Sequence, residues 1–184
     1  MAELNDYSGE FNPDINYNDF SKEVLTNAVK AFGEFTHKLD GIWYMAVKAL
    51  IGNDKALACD MKVWERAKGL LAELTNNTFG IKGNDVATAM KTFQLEAIAQ
   101  ASTFDIDLKD NNHAIVTMTH CPSLIALERE GEGREKEICH VVQQHVFRHH
   151  ASFFNPRMEV QPLKLPPRKS PDEIACQWEF KIEE

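Results

Sequence analysis

Apolar residues recur at three- and four-residue steps through the first hundred positions of the chain. Leu25, Ala28, Phe32, Phe35, Leu39, Ile42, Ala46 and Leu50 have the spacing of a single helical face. Ser21 supplies an N-cap oxygen ahead of them, and Gly52 a residue that accepts the left-handed C′ conformation, so one long helix is expected between the two. Asp60 opens a second helix with the stripe Val63, Trp64, Ala67, Leu70, Leu71 and Leu74, which stops near Asn76–Gly80. That leaves Cys59 between two helices, as a structural residue. Asp85 caps a third helix that turns Val86, Ala89, Met90, Phe93 and Ala97 inward.

The period then changes from helical to alternating. Phe104, Ile106 and Leu108 alternate with Asp105 and Asp107, Asp110-Asn111-Asn112 supplies turn chemistry, and a second strand runs from His113 to His120. Pro122 suits the first position of a short helix that Gly131 and Gly133 terminate. A longer helix follows from about Arg134 to Phe153 and ends at Asn155-Pro156. Strands near 157–164 and 173–182 flank a loop holding Pro166, Pro167 and Pro171. The fold class is therefore α+β, with N-terminal helices packed on a C-terminal antiparallel sheet of order β-β-α-α-β-β. Residues 1–19 read as an irregular arm and 20–184 as a single domain, with a helical part at 20–101 and a sheet part at 102–184.

Alternation along the strands indicates which side chains are covered. Ile174, Cys176, Trp178, Phe180 and Ile182 share one face of the last strand, and Ala114, Val116, Met118 and His120 share one face of the second. Cys176 and His120 are therefore expected to point inward. Cys139 falls within the Val142, Val146 and Phe153 stripe of the long helix. Cys121 lies at a helix N-terminus, where the partial positive charge favours a thiolate.

Composition narrows the functions open to such a fold. A chain of 184 residues with 43% apolar content holds one substantial core. A net charge of −8 repels a phosphate backbone, so nucleic acid is not an expected partner. No apolar run approaches the roughly 18 residues of a membrane span, and the start of the chain lacks a basic and apolar leader. The expected compartment is the cytoplasm, where four cysteines stay reduced. A small-molecule ligand is the expected partner, and a homodimer is the assembly the reading admits.

Cys121, Cys139 and Cys176, with His120, are the candidate chemistry. If the fold brings them together they form a thiolate metal site, with zinc the first choice, or a pocket in which Cys121 is a nucleophile assisted by His120. Packing as small hydrophobes is the plain alternative, and no Cys-x-x-Cys pair is present. Asp40 and Trp43 on the first helix, His149 on the long helix and Trp178 on the last strand are the remaining pocket candidates. His145 and His149 lie one turn apart without the glutamate of a His-Glu-x-x-His motif. Neither a Gly-x-Ser-x-Gly elbow nor a phosphate-loop glycine spacing occurs.

Leu39-Asp40-Gly41-Ile42-Trp43, Ala58–Trp64, Cys121-Pro122, Cys139, Asn155-Pro156, Leu165-Pro166-Pro167 and Cys176-Gln177-Trp178-Glu179-Phe180 carry a resemblance over about residues 20–182. The chain resembles an uncharacterised prokaryotic family close to the L-2-amino-thiazoline-4-carboxylic acid hydrolases. More distantly, Cys121 before a helix and Cys176 on the last strand are similar to the vinyl-reductase-type small-molecule-binding domain, some members of which hold zinc with cysteines and a glutamate. No Glu-x-x-Cys precedes Cys176 here, and Val141, Val142 and Gln143 follow Cys139 where the hydrolase-like pattern has an aspartate. The resemblance implies a small-molecule- or metal-binding protein, or a hydrolase of non-peptide carbon–nitrogen bonds using Cys121 or a metal-bound water.

Overall fold

The computed structural model describes residues 3–183. Helix α1 (Lys22–Ile51) starts where the Ser21 hydroxyl accepts from the Val24 amide, and ends at Gly52, whose φ of 89° lies in the left-handed region that favours glycine. Helix α2 (Asn53–Phe79) begins directly after that residue. Gly52 alone thus turns the chain between two long helices, and the expected break near Cys59 is absent: Asp60 lies inside α2 and caps nothing. Helix α3 (Val86–Leu95) is capped by Asp85, whose carboxylate accepts from the Thr88 amide at 2.8 Å.

The four strands are β1 (Thr103–Asp110), β2 (His113–His120), β3 (Met158–Lys164) and β4 (Cys176–Ile182), all antiparallel and ordered β1-β2-β4-β3. Between the hairpins run α4 (Pro122–Glu130), a short turn α5 (Glu135–Glu137), a π-helical turn over Ile138–Val142, and α6 (Gln143–Phe154). The class is α+β, with helices in the N-terminal half and the antiparallel sheet in the C-terminal half, as the change of period indicates. Leu4 in the arm exchanges backbone hydrogen bonds with Asp19 and Ser21 at the entrance to α1. No helix among the described residues is long and apolar enough to cross a membrane.

The core lies between the sheet and α3 and α6. Register sets Val116 opposite Trp178 and Ala114 opposite Phe180, and all four are buried. Phe147 of α6 meets the Trp178 and Phe180 rings edge-on, with centroids 5.0 and 5.6 Å away. The long helices depart from expectation. Phe32, Phe35, Leu39, Ile42 and Leu50, the presumed inward stripe of α1, are exposed, whereas Gly33 and Tyr44 are buried and His37 and Asp40 half-buried. On α2 the buried residues are Ala56, Asp60, Lys68, Ala72 and Thr75. At Gly33 a Cβ would come within 1.9 Å of the Ala97 carbonyl oxygen, so only glycine lets α1 approach the segment after α3 this closely.

Candidate functional site

Polar residues that recur at helical spacing on the inner faces of α1 and α2 meet the sheet across a chamber. Asp60, Trp64 and Lys68, at four-residue steps on α2, form one wall, and His37 and Asp40 of α1 adjoin them. Phe93 and Glu96 close it from α3 and its C-cap, Met118 from β2, and Cys176 and Trp178 from β4. Cys121, Ser123 and Leu124 come from the start of α4, and Ile138, Cys139 and Val142 from the π turn. There the Gln143 amide reaches back five residues to the Ile138 carbonyl. Such wide turns are frequent at functional sites. The chamber holds about 150 Å³ and adjoins an outer vestibule of about 760 Å³. His37, Asp40, Asp60, Ser123 and Ile138 belong to both and form the neck between them.

Cys121, Cys139 and Cys176 line this single chamber, although 18 and 37 positions separate them along the chain. A thiolate on Cys121 would raise the pKa of both others, which marks their proximity. The Cys121 sulfur accepts from the Leu124 amide at 3.5 Å and caps α4. Those helix amides pull its pKa down, as the sequence suggests, but burial outweighs them and the net shift is upward. Burial pushes Cys176 up to about 12 and Cys139 higher still. All three are neutral thiols near pH 7, so an activated Cys121 is not what this environment produces.

His120 corrects the parity argument. The β1–β2 register pairs Thr103 with His120 and Phe104 with Met118, leaving Thr119 as an extra residue that breaks the alternation. His120 is exposed and lies in an outer hollow with Glu128 and Arg168, outside the chamber. Trp43 is also outside: its neighbour Tyr44 takes the inward position, since one residue rotates the helix by about 100°. His149 is half-buried against His145, with their Nε2 atoms 3.1 Å apart, and lines neither cavity. Asp40 and Trp178 do line the chamber.

Among the described residues no group of three His, Cys, Asp or Glu side chains is arranged to hold a metal ion. With His120 outside the chamber, the donor set as arranged does not fit the expected zinc, and no chemistry is routed through one.

Asp60 and Glu96 are the chamber acids that the sequence pattern does not single out. Asp60 is 3% exposed, and its Oδ1 has no hydrogen-bond partner. Burial, and then the nearby Asp40 carboxylate, raise its pKa to about 7, against a weaker downward pull from Arg134 and Trp64. Burial also raises Asp40. Lys68 pairs with Glu96 out of contact with solvent, its ammonium 5.6 Å from the Phe93 ring centroid. The second Glu96 oxygen faces His150 Nδ1 at 3.6 Å, too far for a hydrogen bond, and both atoms are unpartnered. His150 Nε2 donates to the Ala89 carbonyl at 3.1 Å, and complete burial keeps the ring neutral. The available sequence signal was the run His37, Asp40, Tyr44 and Asp60, Trp64, Lys68, a second stripe at helical spacing on each helix.

A model of a family of unknown function, DUF6125, matches residues 18–182. The chain belongs to that family. The match spans α1 through β4, so every wall of the chamber lies within the DUF6125 region. No curated protein and no solved structure matches the chain.

Proposed function

We propose that this protein binds a small organic molecule in the chamber between the long helices and the sheet, and that the vestibule is its route of entry. The observation that carries this reading is a cavity with mostly apolar walls and buried polar atoms that no protein group satisfies. Asp60 Oδ1 and Trp178 Nε1 are both buried without a partner, and both residues line the chamber. Leaving such a group unsatisfied costs about 1–3 kcal/mol, which a ligand with complementary hydrogen bonds recovers. The distant likeness to the vinyl-reductase-type binding domain points the same way.

A panel of monoaromatic fragments tests the proposal by saturation-transfer NMR and thermal shift. Some fragments are expected to bind and to raise Tm. Ser123→Phe, which fills the neck, is expected to abolish binding while circular dichroism stays unchanged. Fragments that bind the Ser123→Phe protein as well as the wild type would move the site elsewhere and sink the proposal.

Hydrolysis is the second reading, and one observation favours it: a carboxyl at about 7 beside a second carboxyl, facing a cavity, is placed to carry a proton. In that case Asp60, rather than Cys121 or a metal-bound water, would move the proton at the scissile carbon–nitrogen bond. Turnover of an aminothiazoline carboxylate that disappears in Asp60→Asn and survives in Cys121→Ser would support it.

A further inference from the structure

The neck of the cavity carries an unbalanced negative charge. Of the cations around it, Lys68 is paired with Glu96, Arg134 is held by Glu130 at 2.6 Å while stacking on the Tyr44 ring, Lys38 on the vestibule wall pairs with Glu34, and Arg129 lies on the vestibule wall toward the outer hollow. Among the described residues neither Asp40 nor Asp60 makes an ion pair. His37 does not supply the missing cation. Its Nε2–H donates to the Ile98 carbonyl at 3.1 Å, its Nδ1 lies 3.3 Å from the Ser123 hydroxyl, and burial lowers its pKa. Tyr44, which lines the vestibule, and Glu137, whose charge acts on Tyr44, add no positive charge. Asp60 is 97% buried with a free oxygen, so an ammonium reaching it would be desolvated and strongly held.

We propose that Asp40 and Asp60 form an ammonium-recognition site, and that the ligand is an organic amine with its cationic head at the neck and its apolar body among Phe93, Val142, Phe147 and Trp178. This rests on the binding-pocket reading above and names its ligand class. The step is an exchange of charge: the amine enters protonated, and the proton that burial and the nearby Asp40 carboxylate keep on Asp60 leaves to solvent.

Calorimetry on the full chain with phenethylamine, phenethyl alcohol and hydrocinnamate tests the two readings separately. The amine is expected to bind about tenfold or more tighter than the alcohol, a difference of about 1.4 kcal/mol, and hydrocinnamate weakest. Titration at pH 7 in buffers of different ionisation heat should show net proton release on binding the amine and none for the alcohol. In Asp60→Asn the amine-to-alcohol affinity ratio should fall about tenfold, and Asp40→Asn provides the same readout if the first variant does not fold. An alcohol or hydrocinnamate that binds as tightly as the amine overturns the amine assignment and leaves the pocket reading standing. No binding by any of the three overturns both.

Discussion

On the sheet side of the chamber, Val116, Trp178 and Phe180 turn inward, while Thr117, Gln177 and Glu179 take the other face and bond across strands. On the helix side α1 and α2 turn His37, Asp40, Asp60 and Lys68 toward the chamber and leave Phe32, Phe35, Leu39 and Leu50 outside. The sheet with α3 and α6 is thus a folding core, stabilised by apolar burial. The inner faces of the long helices instead carry charge into low dielectric, an arrangement that costs stability. Helices in a globular fold ordinarily bury their apolar stripe. This inversion separates the part of the molecule that holds it together from the part that carries buried charge to the chamber wall.

Removing a cation from the helix layer should break the balance most severely. Lys68→Met leaves Glu96 buried beside an unpartnered His150 nitrogen, and it is expected to lower the unfolding free energy by about 3 kcal/mol. Lys68→Met with Glu96→Leu should recover most of that loss, because the charge goes with its partner. Urea unfolding of the three proteins decides the matter. A loss under about 1 kcal/mol in the single variant would mean that water solvates the pair and that the two layers differ less than their burial implies.

A smaller effect, of opposite sign, is expected at Asp60. Its folded pKa of about 7 lies above the model value of 3.8, so the folded state keeps a proton that the unfolded chain has lost. Stability contributed by this group therefore falls as pH rises from about 4 to about 7, and the full penalty applies above 7. Asp60→Asn removes that penalty and should stabilise the protein by about 2 kcal/mol at pH 8 and by little at pH 4. Thermal unfolding across this range measures it. Equal effects at both pH values would show Asp60 to be solvated in its charged form, without a penalty to remove.

The sheet was legible because strand alternation has a period of two and its polar positions face away. β2 ends at His113 and His120 as read from the residues, and Cys176, Trp178 and Phe180 point inward as their parity requires. Legibility failed at Thr119, where one extra residue opposite β1 turned His120 outward, since a bulge leaves no mark in an alternating pattern. Helix ends were readable from Ser21, Gly52 and Asp85 because capping is local chemistry. Helix facing was not: the rule that apolar residues turn inward fails on α1 and α2, which turn His37, Asp40, Asp60 and Lys68 toward the chamber. The gathering of Cys121, Cys139 and Cys176 followed from parity and the helix stripe. Asp60 resembles a cap in sequence, but the one-residue turn at Gly52 starts α2 seven residues earlier and leaves it inside the helix.

The smallest effect is expected on the outer face of α1, and it bears directly on the inversion. Phe35 lies in mid-helix and is 58% exposed, so Phe35→Gln removes little buried area and replaces an aromatic residue with a better helix former. Within a single chain the change in unfolding free energy should stay within about 0.5 kcal/mol. For a monomer it should also be the same at micromolar and at hundredfold higher protein concentration. A second copy seated on Phe32, Phe35 and Leu39 would behave differently. Wild-type stability would then rise with concentration by mass action, and Phe35→Gln would cost about 2 kcal/mol or more at the higher concentration. That outcome would mean that the outer stripe of α1 is as buried in the assembly as the sheet face is in the chain, and the contrast between the two layers would reduce to their inner surfaces alone.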